Sequence, residues 1–182
     1  MRFLLREEKI PVYRGVIKGL QPNVEGDGRA EWWTVSKDEA TSYWQDGTDD
    51  EGALLTSVID LDKVNLIDLG KQPDVTSVYL GNDLNNILGT KIIARERTKD
   101  GNFVYIKYKD SFYRMSTGLD DLQVFYHKIA REQGYDGILV QFSIGGKTVT
   151  EIALLKSGLI EYEAPSWYDK KWDKKKESVA LR

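Results

Sequence analysis

Between Leu119 and Leu155 the apolar residues change their spacing, and that change limits what the chain can fold into. Leu119, Leu122, Phe125, Tyr126, Ile129 and Ala130 fall at helical intervals, which predicts a helix over 119–132 stopping at Gly134. YDGILVQF, a Gly-Gly turn and TVTEIALL follow, two apolar runs that predict a strand hairpin. A helix feeding antiparallel strands belongs to the α+β class. The second of these runs opens on a carboxylate, Glu151, where a core strand has no need of one.

Upstream, IPVYRGVI at 10–17 is rich in β-branched and aromatic residues and runs into the glycine-punctuated KGLQPNVEGDGRA, a strand followed by a loop. EWWTV at 31–35 is a second strand. Ser36 then stands three residues before Glu39, the capping-box spacing, so a short helix is expected to begin there. Past the acidic turn DGTDDEG, ALLTSVIDLDKVNLIDL reads as a strand and a second extended stretch near 65–69. A helix around 83–88 and a hairpin about KDGN fill an insert at about 70–118. Five lysines in the seven residues 170–176 alternate with aromatics beyond Pro165: a docking arm for an acidic partner such as nucleic acid, or, the reading its interleaved acids favour, a solvated tail or terminal helix.

At 182 residues one domain is the expectation, 1–164, followed by the tail 165–182. Lys and Arg number 26 against 29 Asp and Glu, a net charge of -3, so the chain as a whole offers no attraction for nucleic acid and any such binding needs a local patch. The absence of cysteine excludes disulfides, thiol nucleophiles and thiolate metal sites, and the single histidine, His127, leaves little for a histidine metal centre; no metal is expected. His127 lies in the helical pattern and reads as a core-edge or surface residue, and Asp136 as the cap of a turn. MRFLLREEKI is too short in apolar residues for a signal peptide and no stretch approaches a membrane span, so a soluble cytoplasmic protein is expected.

Four pieces in order, VYRG at 12–15, WWTVSKDEATSYW at 32–44, GYDGILV at 134–140 and TEIALLKSGLI at 150–160, resemble the ADP-ribosyltransferase superfamily. They cover about a quarter of the chain. In that family a first strand ends in His-Gly or Arg-Gly, a second carries an aromatic or Ser/Thr motif, and a short helix supplies an aromatic. A late strand begins with the catalytic Glu, and its poly-ADP-ribose polymerase form, Asn-Glu-Tyr-Ile-Val-Tyr-Asp, aligns with residues 150–156. Arg14 stands where polymerase-like members have His, which is similar to the compact bacterial toxins and their phage relatives; Val149 stands where arginine-modifying members have Glu.

The resemblance implies an ADP-ribosyltransferase-like α+β fold, two small antiparallel sheets around an NAD cleft with flanking helices. It implies Glu151 as the carboxylate that binds the ribose 2'-hydroxyl and stabilises the cation formed as nicotinamide leaves. Arg14 would contact the NAD phosphate or ribose and Gly15 would admit the cofactor to the backbone. Tyr43 would stack on nicotinamide, Trp32 and Trp33 would line the pocket, and Thr34 or Ser36 would bond the ribose. Each residue taken singly also has an ordinary role: Arg14 as an exposed strand residue, the aromatics as core, Glu151 as a surface charge.

The expected activity is transfer of ADP-ribose from NAD to a macromolecular acceptor, a protein in preference to a nucleic acid, with no membrane involved. A bacterial or phage effector acting in a host cytoplasm is the implied setting. An NAD glycohydrolase, an RNA 2'-phosphotransferase and a catalytically silent binding module of the same fold are the alternatives.

Overall fold

A computed structural model of the chain describes residues 9–18, 30–45, 51–156 and 158–168. The glycine-rich loop at 19–29, most of the acidic turn and the lysine-rich stretch 170–176 lie outside the described residues. Three strands and a helix come first: β1 (Lys9–Ile17), β2 (Glu31–Thr34), α1 (Lys37–Gln45) and β3 (Gly52–Asp60). β4 (Leu66–Gln72), α2 (Val75–Leu80) and α3 (Asn82–Leu88) follow. β5 (Thr90–Thr98), β6 (Gly101–Tyr108) and β7 (Ser111–Ser116) form a separate antiparallel sheet. α4 (Leu119–Glu132), β8 (Gly137–Ile144) and β9 (Lys147–Leu154) complete the regular elements of the described residues.

The architecture is mixed α+β with two sheets, as expected, but only the smaller sheet is wholly antiparallel. The larger has six strands in the order β3-β1-β2-β9-β8-β4, and β4 runs parallel to β8. A parallel neighbour requires a long crossover, and the whole insert from α2 to α4 supplies it. The insert holds two elements beyond the expected helix and hairpin. α2 is six residues of Val, Thr, Ser, Tyr and Leu, poor helix formers apart from Leu, started by Asp74, whose carboxylate accepts from the Ser77 N–H at 2.8 Å. β7 follows a two-residue turn whose Lys109 has φ 53°, a left-handed position that normally signals itself as Gly or Asn. The Gly145–Gly146 turn between β8 and β9 does carry that signal, with φ of 56° and 79°.

Alternate residues of β9 point to opposite faces of the large sheet, and each face has its own core. Ala153 joins Ile138, Val140 and Phe142 against α2, α3 and α4 and the inner side of the small sheet. Ile152 and Leu154 join Val12, Trp33, Leu55 and Ile59 on the other face. That second face is covered by the segment after β9, whose Tyr162, Trp167 and buried Tyr168 pack against it. Burying each such aliphatic side chain contributes on the order of 2 kcal/mol.

His127 is not at the core's edge but fully buried in it, its Nε2 2.8 Å from the Tyr79 hydroxyl. Beside it the Tyr126 hydroxyl donates to Asn85 Oδ1 at 2.8 Å, and the Asn85 amide donates to the Tyr79 and Gly81 carbonyls. Burial raises both tyrosines, Tyr126 to about 12, so both hydroxyls stay neutral. Asp136 has the expected structural role: its carboxylate accepts from the Asn65 N–H at 2.8 Å and from Lys156 at 2.7 Å. These two bonds hold it below the usual carboxylate range. Among the described residues no helix is long and apolar enough to cross a membrane, and no cluster of three or more metal-ligating side chains is present.

Candidate active site

Strand register decides which side chains can meet. Tyr13 of β1 lies opposite Thr34 of β2, and Thr34 lies opposite Glu151 of β9. Directly paired residues share a face, so Tyr13, Thr34 and Glu151 form one row across three strands. Trp32, opposite Ala153, stands on the same face two residues along β2 and packs against the helical core.

The helix α1 is held beside this row by a compact turn. The Thr34 hydroxyl accepts from the Ser36 N–H at 3.1 Å and donates to the Thr150 carbonyl at 3.3 Å, while the Val35 N–H also bonds Thr150. Ser36 then caps the helix, its hydroxyl accepting from the Glu39 N–H at 3.3 Å. Glu39 is thereby brought near Glu151. Burial, and after it the Glu39 carboxylate, pushes the Glu151 carboxyl above the usual carboxylate range. Tyr43 stands one helical turn beyond Glu39 on the same stripe and is 75% exposed.

Arg14 and Trp33 fall on the other face, by the same alternation that puts Tyr13 and Thr34 with Glu151. The Arg14 guanidinium lies 3.5 Å from Glu31 Oε1, and the Trp33 indole N–H donates to that same oxygen at 2.7 Å. Trp33 is 1% exposed and meets Tyr162 edge-on, with ring centroids 5.2 Å apart. The structure therefore gathers Glu151, Thr34, Trp32 and Tyr43 on one side, and separates Arg14 and Trp33 from them by the thickness of the sheet. Gly15 is buried on β1, opposite Leu54 of β3. Thr34 and Ser36 both engage their hydroxyls in the turn that leads into α1.

One residue of this row and one on the helix beside it escaped the sequence reading. Tyr13 was visible only as Arg14's neighbour, and Glu39 only as a capping residue. The available signal was parity, since a residue on β1 that shares a face with Glu151 must be odd-numbered if Tyr13 does. A cavity of about 330 Å³ lies elsewhere, between α2 and the small sheet, lined by Thr76, Leu80, Arg95, Arg97, Asn102 and Thr117 among others; it includes none of the residues around Glu151.

The Glu39 carboxylate disfavours ionisation of its neighbour, so Glu151 keeps its proton to higher pH than an isolated carboxyl. Tyr13 and Trp32 stand on the same face of the sheet as Glu151. Comparison with known proteins adds nothing to the geometry: no family model, no curated protein and no solved structure matches the chain.

Proposed function

We propose that the protein is an NAD-dependent ADP-ribosyltransferase whose catalytic carboxylate is Glu151. The observation that carries the reading is the half-buried Glu151 in one row with Thr34 and Tyr13, beside the helix that bears Glu39 and Tyr43. In the reaction the bond between the nicotinamide nitrogen and ribose C1' breaks and its electron pair leaves with nicotinamide. Positive charge appears at C1' and the ring oxygen, and the ionised Glu151 stabilises it. The acceptor's nucleophilic atom bonds C1' and gives up its proton to a carboxylate. Tyr43 offers its exposed ring to nicotinamide. Arg14, on the opposite face, takes no part in this scheme.

Glu39 favours a second reading, NAD glycohydrolysis, because a second carboxylate is placed to accept the proton of an attacking water. Incubating the protein with adenine-labelled NAD and cell lysate separates the two. Nicotinamide release with label on a macromolecule is the transferase outcome, and release as free ADP-ribose is the hydrolase outcome. Glu151→Gln should lower release roughly 100-fold or more with circular dichroism unchanged. Because the ionised form of Glu151 is required, activity should rise with pH through its raised pKa, and Glu39→Gln should move that limb to lower pH. Full release by Glu151→Gln would sink the proposal in both forms.

A further inference from the structure

We propose that the outer face of the small sheet is a binding surface for single-stranded nucleic acid. The inference stands apart from the Glu151 site and does not rest on the reading of it. Residues 90–116, which make up β5, β6 and β7, carry seven Lys and Arg against three Asp and Glu, a net of +4 in a chain of net charge -3. The rest of the chain therefore carries -7, even though residues 170–176 hold five Lys against one Asp, so the module is a positive patch on an acidic protein.

Register sorts the module's side chains into two faces. Ile92, Ile106, Val104 and Met115 turn inward to the helical core. Outward, Lys91, Lys107 and Phe112 form one row across the three strands, and Ala94, Tyr105 and Arg114 form the next. Phe103 lies in the third row, with the Arg114 guanidinium 3.6 Å above its ring and steadied by Glu96 at 3.1 Å. Phe112 is 64% exposed, with the Lys107 ammonium 5.7 Å from its ring centre. An exposed phenylalanine is out of place on a face that only has to be wetted. Cations interleaved with aromatic rings at strand spacing match a strand of bases joined by phosphates: the rings stack on bases whatever their sequence, and the cations displace phosphate counterions. An acidic peptide would use the charges and leave the rings without a role.

Fluorescence anisotropy of a labelled mixed-sequence 12-nucleotide RNA, titrated with the full chain at several salt concentrations, tests this. Lys91→Ala and Lys107→Ala should each reduce the slope of log affinity against log salt by about 0.7. Phe112→Ala should weaken binding roughly 5- to 100-fold and leave the slope unchanged. All three side chains are exposed, so unchanged circular dichroism is expected of each variant. No binding at 50 mM salt overturns the proposal (~50 mM being the low-salt end at which phosphate contacts are strongest). So does full binding by the triple variant, which would move the attraction to lysines elsewhere in the chain. Polyglutamate binding as tightly as RNA, with Phe112→Ala without effect, would make the face a generic anion surface and overturn it equally.

Discussion

At the scale of single residues, burial changes what a charged or titratable group is for. Arg14 and Glu31 are 13% and 10% exposed in their side chains and form a pair inside the face that Trp33 fills. Removing one member of such a pair strands the other, at a cost of about 3–5 kcal/mol. Arg14→Ala should therefore lower the urea midpoint sharply and leave the KM for NAD unchanged at temperatures where the variant is folded. A raised KM with an unchanged midpoint would return Arg14 to the cofactor site. His127 keeps its neutral form to a much lower pH than a surface histidine. Burial, and secondarily the Arg131 guanidinium, pulls it down to about 3, below its ordinary value near 6.5. The unfolded chain then binds the proton that the folded one refuses. This stability is fully present above about pH 6.5 and is lost progressively as pH falls toward 3, reaching a loss of ~2 kcal/mol at pH 5. His127→Gln retains a partner for Tyr79 without titrating, so comparing unfolding at pH 7 and pH 5 in both proteins isolates the effect. Equal losses in the two would show that His127 is not the group responsible.

At the scale of elements, what could be read from the sequence followed local rules. Helix α4 and the Gly145–Gly146 hairpin were legible because spacing and turn residues lie within a few positions of each other. Ser36 was legible as a cap for the same reason. Helix α2 and strand β7 were not, since the first is short and built of weak helix formers and the second follows a turn at Lys109 that lacks glycine. The segment after β9 is the clearest case of an element defined by contact alone. It has no regular structure between Ile160 and Pro165, yet Tyr162, Trp167 and Tyr168 close the face carrying Trp33, Ile152 and Leu154. Tyr168→Ala should cost about 3 kcal/mol, measured as a shift of the urea midpoint. A shift within experimental error would mean that this segment merely rests on the sheet.

At the scale of the whole molecule, the two cores share strands β2, β4, β8 and β9, whose alternate residues belong to one core or the other. Neither can come apart without the other losing its floor, so unfolding should be one transition. Fluorescence of Trp33 in a variant whose other four tryptophans are replaced by Phe, which reports one face, and far-UV circular dichroism of the helices on the other should trace the same urea curve. Separated midpoints would show two independently folding layers. The sequence by itself determined the class of the fold, the position of most strands and helices, the cap at Ser36 and the placing of Glu151 on a late strand, because each of these depends on residues a few positions apart. Only the tertiary structure decided that β4 runs parallel to β8, that His127 is buried, that Arg14 and Glu151 face away from each other, and that Tyr13 and Glu39 are Glu151's neighbours. Those outcomes depend on the register between strands more than 100 residues apart, as between Thr34 and Glu151. A shift of one residue there would turn every side chain of the strand to the other face.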